Sequence, residues 1–525
     1  MADKKEKSKT KVFVRQATGL VKHVSFLDAI SLNLGDMSAG AAIATIGFTT
    51  ILLSTMAGVN LVYASLLAFV LSIPQMIVYT MMNRRVHRTG GDYIWTSRVF
   101  GGFFGGSLAF MGYTMETMAF LALIALSTVF AIGSVGVSMG NMGFLGLALP
   151  GGTAGATPGA QFLVAAVIFA ILIAINIFKP KIGYKLVTVA VLLGIIILLL
   201  AIVTLMVAGR TGVENYVASL QAQGFNSTYA QVANTYASTA GSHGFNLKNL
   251  LFMLPFFAIF VYPWMNAAPA VSSEIKGKSG VRWAIPVSVV IVMLLVTGGF
   301  AAMYYAGGLN FVNGALTNTT LVYDYSFNFW TLAMGVSGSS ILSLIIGLGW
   351  IIWDVAILAY GIIVISRYIF AQAFDRLLPE KLAYISPRWS SPVAAHLLDL
   401  VVTIGLIGGA SFLYGKFSAL YGAVAAGMIY FIFIAIAAIV YALRHEKDLG
   451  PKVTLVVAGI LMAGVFTYIT YQFFAYPLVW GGNGLAYGYI VVSFAAGLAL
   501  YTISKWSNAK KGIDISMAFK EIPPD

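Results

Sequence analysis

Long apolar runs, separated by short clusters of charged residues or of Gly, Pro and Asn, dominate this 525-residue chain. A helix needs about 20 mostly apolar residues to cross a bilayer, and windows of that length predict about twelve spans. The runs are continuous, whereas barrel strands alternate over about ten residues, so the spans are predicted to be helices. Numbered in chain order, spans 1 to 12 cover residues 26–55, 60–82, 101–132, 161–178, 183–208, 249–272, 283–306, 337–370, 393–412, 418–442, 452–474 and 486–505.

Composition indicates an integral membrane protein. Hydrophobic residues make up 59% of the chain and charged residues 9%, whereas a soluble domain has about 25% charged residues. The basic first 25 residues precede an apolar run, as in a signal peptide, but this run is too long for one and many further spans follow it. We therefore expect an all-α membrane protein whose first span is retained.

The distribution of Lys and Arg predicts the orientation. Of the 31 such residues, all but three lie in the two tails or in the loops that share their side of the membrane. The positive-inside rule then places both termini in the cytoplasm of a plasma-membrane protein. The net charge of +13 is explained by this topology and by contact with anionic headgroups, without a nucleic-acid partner. The three exceptions are Arg210, Lys248 and Lys416.

Several kinds of chemistry are excluded. The chain has no cysteine, so it has no disulfide and no thiolate metal site. It contains no P-loop, no dinucleotide fingerprint in a strand and helix context and no nucleophile elbow, so we expect neither an enzyme nor a cofactor. The histidines all fall in loops, in tails or at a span end, which predicts no metal site or proton relay at mid-membrane: His23, His87, His243, His396 and His445.

Two long polar segments, 209–248 and 307–330, lie on the side that the charge count predicts to be external. Each contains an N-x-[ST] sequon, at Asn226 and at Asn318. Because such sequons are glycosylated only on external loops, their position agrees with the predicted orientation.

Span 1 is predicted to be interrupted. Its stretch SLNLGDMSAGAAIATIGF contains Gly35, Asp36 and Gly40 within six positions. Backbone groups in hydrocarbon must be paired internally, so irregular backbone survives there only where it is buried in protein or lines a cavity. A broken helix therefore marks a site.

Span 6 has the same character, because FFAIFVYPWMNAAPAVSSE places Pro263 and Pro269 inside an apolar segment. Two interrupted spans that are five apart predict an inverted repeat of five helices plus five, with a substrate site at mid-membrane. The predicted organisation is a cytoplasmic tail at 1–25, a first repeat at 26–208, an external loop at 209–248, a second repeat at 249–442, two extra helices at 443–505 and a cytoplasmic tail at 506–525.

Three segments resemble those of the amino acid, polyamine and organocation (APC) permeases, which have the leucine-transporter fold. They are RTGGDYIWTSRVFGG at 88–102, SRYIFAQAFDRLLPEKLAYISPRWSSPVAA at 366–395 and the tail KKGIDISMAFKEIPPD at 510–525. The resemblance implies a secondary transporter that carries an amino acid or a related organic amine by alternating access.

The resemblance also implies where the substrate binds. In these permeases a glycine-rich break in the first helix offers amides to the substrate carboxylate, and the matching residues here are Ser38, Ala39 and Gly40. The free donors and positive dipole end of a helix N-terminus suit this role. The break in span 6 is expected to present carbonyls to the substrate ammonium, with Tyr262 or Trp264 as an aromatic gate and Glu274 at the family's acidic position. The carbonyl set is Ile259, Phe260, Val261 and Tyr262.

Three acids lie inside predicted spans with no Lys or Arg at comparable depth: Asp36, Glu116 and Asp354. Each ionised acid costs at least about 2.5 to 3.5 kcal/mol at a helix centre unless it is paired or faces water. We therefore expect a cation or a proton to bind there. The alternative is that each acid is protonated, or hydrogen-bonded to nearby hydroxyls for packing.

Two more acids have local explanations. Asp399 lies three residues after His396 and is expected to pair with it, and Asp28 is expected to be a solvated or helix-capping residue. Trp350 and Trp353 flank Asp354 closely enough to offer cation–π contacts to an amine.

The coupling ion is open at this stage. Some proton-coupled relatives place a lysine within the fifth helix, but here Lys185 lies near the start of that span. Three possibilities remain: a proton carried by Asp36 or Glu116, a sodium ion between the first and eighth helices, or uncoupled exchange. A non-transporting amine sensor, a subunit of a larger membrane complex and a channel are the alternative functions.

Overall fold

The computed structural model describes residues 20, 22–49, 59–149, 154–240, 245–413 and 424–522, so His243 and Lys416 lie outside the described residues. Within these ranges the protein is built from helices, and eleven helical segments are long and apolar enough to cross a membrane. This confirms the predicted all-α membrane fold. The eleven are Phe26–Ile46, Leu61–Arg85, Gly91–Ser138, Pro158–Phe178, Pro180–Ala222, Gly277–Gly307, Ser340–Phe374, Val393–Phe412, Val424–His445, Leu449–Ala475 and Gly484–Ala509. They correspond to every predicted span except span 6.

Span 1 is two helices. The first, Phe26–Met37, begins with a capping box in which Ser25 and Asp28 bond each other's backbone, so Asp28 has the expected capping role. The second is Ala39–Thr49. Between them Ser38 has φ of 22° and ψ of 75°, which interrupts the helical ladder. The predicted break in span 1 is therefore confirmed.

Span 6 is also discontinuous. It is made of Leu247–Phe252, Leu254–Phe260 and, after a non-helical interval at 261–266, the short helix Ala267–Ala270. A 3₁₀ turn, Ser272–Glu274, follows. Pro263 lies inside the interval and has no N–H to continue a helix, which explains why the break falls there.

The start of span 3 and the end of span 5 differ most from the predicted boundaries. Span 3 begins at Gly91, ten residues before the predicted start at 101, and contains π-helical turns at Gly101–Gly106 and Phe110–Met115. Span 5 continues to Ala222 across a kink at Gly209. The long polar segments contain helices of their own, because polar residues also form helices once these pack together: Tyr229–Ala240, Leu309–Thr317, Thr319–Tyr323 and Phe329–Gly335.

Both described ends of the chain lie at one end of the bundle, which we call the tail side. The amides of His23 and Val24 each donate to the Glu274 carbonyl at 3.0 Å, and Arg98 Nε donates to the Glu521 carbonyl at 3.1 Å. At the opposite end, the loop side, Asn313 Nδ2 donates to the Tyr236 hydroxyl at 3.0 Å.

Candidate functional site

The two breaks lie side by side in the bundle. Asp36, at the end of the first half of span 1, accepts a hydrogen bond from the Ala267 amide at 3.0 Å. Asn33 accepts one from the Ala268 amide at 2.8 Å. Asp and Asn side chains are good acceptors for the first amides of a helix, so span 1 caps the helix that resumes after the break in span 6. The sequence-predicted pair of interruptions is thus brought into direct contact.

The helix that follows the break in span 1 requires a glycine at position 40. A Cβ atom on Gly40 would lie 2.0 Å from Cδ1 of Trp353, and the Gly40 carbonyl accepts a bond from Trp330 Nε1 at 2.9 Å. The Ala42 amide donates to the Ser38 carbonyl at 3.0 Å, which closes the first turn of the second half-helix. The amides of Ala39 and Gly40 therefore precede the first intrahelical bond and have no acceptor within their own helix.

The break in span 6 uses part of the predicted carbonyl set internally. Ile259 and Phe260 belong to the end of the helix Leu254–Phe260, whereas Val261 and Tyr262 lie in the interval. The Ile259 carbonyl accepts Trp264 Nε1 at 2.8 Å. The interval at 261–266 contains Pro263, as predicted, but only the second half of the expected carbonyl set lies in it, because the first half-helix continues to Phe260.

The two gate candidates point to different neighbours. The Tyr262 hydroxyl is 2.9 Å from Ser65 Oγ on span 2, and its ring stacks on Phe257. A cavity of about 20 Å³, enough for one water, lies on that side between spans 2, 6 and 11. The Trp264 indole instead stacks on Phe120 of span 3, with ring centroids 5.6 Å apart, and meets Phe431 of span 10 at 5.7 Å.

Two of the three predicted acids are near the breaks. Asp36 interacts with the Tyr360 hydroxyl, and its charge acts on Glu116. Asp354 belongs to a separate contact between spans 3 and 8, where it accepts a bond from Ser127 Oγ at 3.2 Å. The side chains of all three acids are at most 1% exposed.

The tryptophans beside Asp354 pack against helices. A Cβ atom on Gly194 of span 5 would lie 3.0 Å from Trp353, so this indole is wedged against glycines of spans 1 and 5. Trp350 meets the Phe130 ring, with centroids 5.9 Å apart.

The expected pairing of Asp399 with His396 is wrong. Asp399 accepts a bond from Thr403 Oγ1 at 2.9 Å, one turn further along the same helix. His396 at i−3 and Thr403 at i+4 both lie on the helix face of Asp399, and the carboxylate bonds the hydroxyl, while both ring nitrogens of His396 have no partner in the described part of the chain.

Several buried polar atoms around the breaks have no hydrogen-bond partner within the part of the chain that the structure describes. In folded proteins about nine in ten such atoms are paired, so a cluster of exceptions calls for an unseen water or ligand. Sequence reasoning missed Asn33 and Asn266, although an asparagine within an apolar run is a usable signal. The atoms are Ser38 Oγ, Asn33 Nδ2, Asn266 Nδ2 and Oδ1, and Glu116 Oε1.

A buried ion pair closes the site towards the tail side. Arg367 donates from Nε and Nη2 to the two carboxylate oxygens of Glu274 at 2.9 and 3.1 Å. The Tyr184 hydroxyl donates to the same carboxylate at 3.1 Å. This geometry joins spans 5, 6 and 8, and both charged side chains are at most 4% exposed.

A second buried acid strengthens this closure. Asp92 accepts bonds from the hydroxyls of Tyr79 at 2.7 Å, Tyr368 at 2.6 Å and Tyr430 at 3.4 Å. Spans 2, 3, 8 and 10 therefore meet at one carboxylate. Asp92 and Tyr368 come from the two segments 88–102 and 366–395, so these segments lock together on the tail side.

The amino acid permease family model matches residues 24–496, nearly the whole chain. No curated protein matches the sequence.

Proposed function

Because the chain belongs to the amino acid permease family of the APC superfamily, it is a multi-pass membrane transporter and not an enzyme, and we propose that it carries an amino acid or a related organic amine by alternating access. The family supports transport of amino acids or related compounds. The observation that carries the finer proposal is the cluster of buried, unpartnered polar atoms at two facing helix breaks.

The substrate carboxylate would bind at the break in span 1. The amides of Ala39 and Gly40 begin the second half-helix and point into the break, and the unpartnered Ser38 hydroxyl is beside them. A helix N-terminus favours an anion through its free donors and its dipole. The three residues form a small anion site that needs no basic side chain.

The substrate ammonium would bind at the break in span 6. Val261 and Tyr262 lie in the interval, and a non-helical backbone turns carbonyls away from the helix ladder. The unpartnered side-chain amide of Asn266 and the acid Asp36 border the same interval. Trp264 is the better gate candidate of the two aromatics, since it lies on the side of Glu116 rather than beside the cavity at spans 2 and 11.

Alternating access requires the tail-side closure to open. The Glu274 and Arg367 pair and the Asp92 hydroxyl cluster join spans that must separate to release substrate on that side. The candidate side chains are at most 3% exposed, which fits a closed state between the two open ones. The repeats at 26–208 and 249–442 would move against each other.

For coupling, the packing favours a proton over sodium. The Trp353 ring occupies the space between spans 1 and 8 at Gly40, and the Tyr360 ring lies 3.2 Å from a Cβ built on Gly35. A sodium ion needs several oxygen ligands, whereas the atoms of span 8 nearest to Gly35 and Gly40 are carbons and an indole nitrogen. Asp36 or Glu116 would hold the proton.

We further propose a plasma-membrane location with the tail side in the cytoplasm, supported by the Lys and Arg bias. The test is uptake into proteoliposomes of a panel of amino acids and polyamines, with and without imposed proton and sodium gradients. We expect accumulation of at least one amine, driven by a proton gradient and indifferent to sodium. Absence of uptake and exchange for every compound would overturn the proposed function.

A further inference from the structure

A π-helical turn sets the direction of Glu116. The turn Phe110–Met115 ends immediately before this residue, and such wide turns are frequent at functional sites. A Cβ on Gly112, within the turn, would lie 2.3 Å from Tyr430 Cβ and 2.8 Å from the Ala426 carbonyl oxygen. The widened turn is therefore pressed against span 10, and Glu116 is held where spans 3, 6 and 10 meet.

Glu116 and Trp264 meet over one glycine. A Cβ atom on Gly427 would lie 3.2 Å from Cη2 of Trp264 and 3.6 Å from Cγ of Glu116. Phe120, one turn further along span 3, stacks on the indole at 18° between the ring planes. Phe431, one turn beyond Gly427, meets the indole edge. Glu116 and the Trp264 indole therefore border the same glycine, and two phenyl rings pack on the indole.

The described groups that face Glu116 do not compensate its negative charge. The charge that acts on Glu116 is Asp36, which has the same sign, and Glu116 Oε1 is buried without a hydrogen-bond partner in the described part of the chain. Thr117 Oγ1 reaches the other oxygen only at 3.5 Å. Tyr113 and Tyr489 also face Glu116, and both are neutral donors rather than cations. A positive group between the two acids would reduce the repulsion between them and would offset the free-energy cost of burying their charges.

We propose that Glu116 and Trp264 form a subsite for a cationic group of the substrate, separate from its α-ammonium, so that the preferred substrates are basic amino acids or diamines. The proposal rests on the proposed function and names the substrate class of the same site. A carboxylate beside an aromatic wall is the chemistry that recognises an ammonium or guanidinium group. A neutral aliphatic side chain would leave the buried carboxylate unpaired.

The test compares pairs of substrates that differ by one ammonium group: lysine with norleucine, and ornithine with norvaline. Each is measured as inhibition of radiolabelled substrate uptake into proteoliposomes. The parent protein is expected to favour the cationic member by about tenfold to hundredfold, the range of one charge-assisted hydrogen bond. In Glu116→Gln, which keeps the shape and removes the charge, the ratio should fall to about one.

Asp354→Asn is the matched control, because it removes a buried acid that is bonded to Ser127 instead of lying at Trp264. It should leave the preference unchanged. An equal loss of preference in both variants would overturn the proposal. So would a loss of uptake in Glu116→Gln that is equal for the cationic and the neutral substrate of each pair, because that result would identify Glu116 as a proton carrier.

The parent measurement stands without any variant. If the parent transports amino acids but favours the neutral member of each pair, the subsite is refuted while the proposed function survives. If Glu116→Gln is poorly folded, Trp264→Phe supplies the second variant, with an expected reduction of the preference by about threefold to tenfold. An unchanged ratio in that variant would also overturn the proposal.

Discussion

The ion pair between Glu274 and Arg367 makes a quantitative prediction about tail-side opening. Both side chains are at most 4% exposed, and the pair is bidentate with a further bond from Tyr184. Removing one partner of a buried pair costs about 3 to 5 kcal/mol, because the other charge stays buried and unpaired. Water reaches the remaining charge only when the tail side opens, so the cost falls on the closed state.

The expected shift follows from these values. A cost of about 3 to 5 kcal/mol changes the ratio of open to closed protein by about a hundredfold to several thousandfold. Glu274→Gln and Arg367→Gln should each produce such a shift. The double variant should open less than either single variant, since neither charge is then left alone.

Cysteine labelling measures this opening. The chain has no cysteine, so Ser31→Cys, at a buried position of span 1 on the tail side of the break, introduces a single thiol. Its labelling rate by a membrane-impermeant maleimide applied to the tail side reports the open fraction. Arg210→Gln is the control. The side chains of Arg210 and its partner Glu214 are 70% and 45% exposed, and a surface ion pair contributes about 0 to 1 kcal/mol.

Two results would refute the reasoning. Single variants that label within about threefold of the parent would mean that the pair does not hold the closed state. A double variant that labels as fast as the sum of both single effects would mean that the two charges do not interact.

Three further predictions concern the packing around the site. Gly40→Ala should lower the thermal unfolding midpoint and abolish uptake, because its methyl group meets Trp353, whereas Gly484→Ala, which has open space, should do neither. Asp92→Asn should raise tail-side labelling by about tenfold or more, because one of the hydrogen bonds of this buried carboxylate is worth about 1.5 to 3 kcal/mol; unchanged labelling would contradict this. Phe519→Ala should make the C-terminal segment sensitive to protease without loss of the bundle, since the ring is 4% exposed against Gly102; equal protection in both proteins would contradict the contact.

Much of the architecture was predictable from local properties of the chain. Hydrocarbon forces every long apolar run into a helix, so span number and type follow from hydropathy. The prolines of span 6 and the Gly35 to Gly40 stretch marked both breaks, because these residues weaken a helix wherever they occur. The boundaries were less predictable. Span 3 starts early, at Gly91, because its polar first turns pack against other spans, and hydropathy does not measure such packing.

The site was only partly predictable. Asp36 and Glu116 were expected to be functional because each is a buried acid, and the structure brings them near each other. Asp354 satisfies the same rule but lies with Ser127 in another contact. A sequence shows that an acid is at membrane depth without showing which way its helix face turns.

Sequence by itself determined that the chain lies in a membrane, that its spans are helices, and where two of these helices are interrupted. These features depend on residues close together in the chain and on the cost of unpaired backbone in lipid. Tertiary structure alone decided which residues contact each other: Asp36 with the Ala267 amide, Glu274 with Arg367, and Trp264 with Phe120. These contacts join residues of separate spans, and their partners depend on how each helix is rotated about its axis. Lipid-facing and helix-facing surfaces are both apolar, so composition does not specify that rotation.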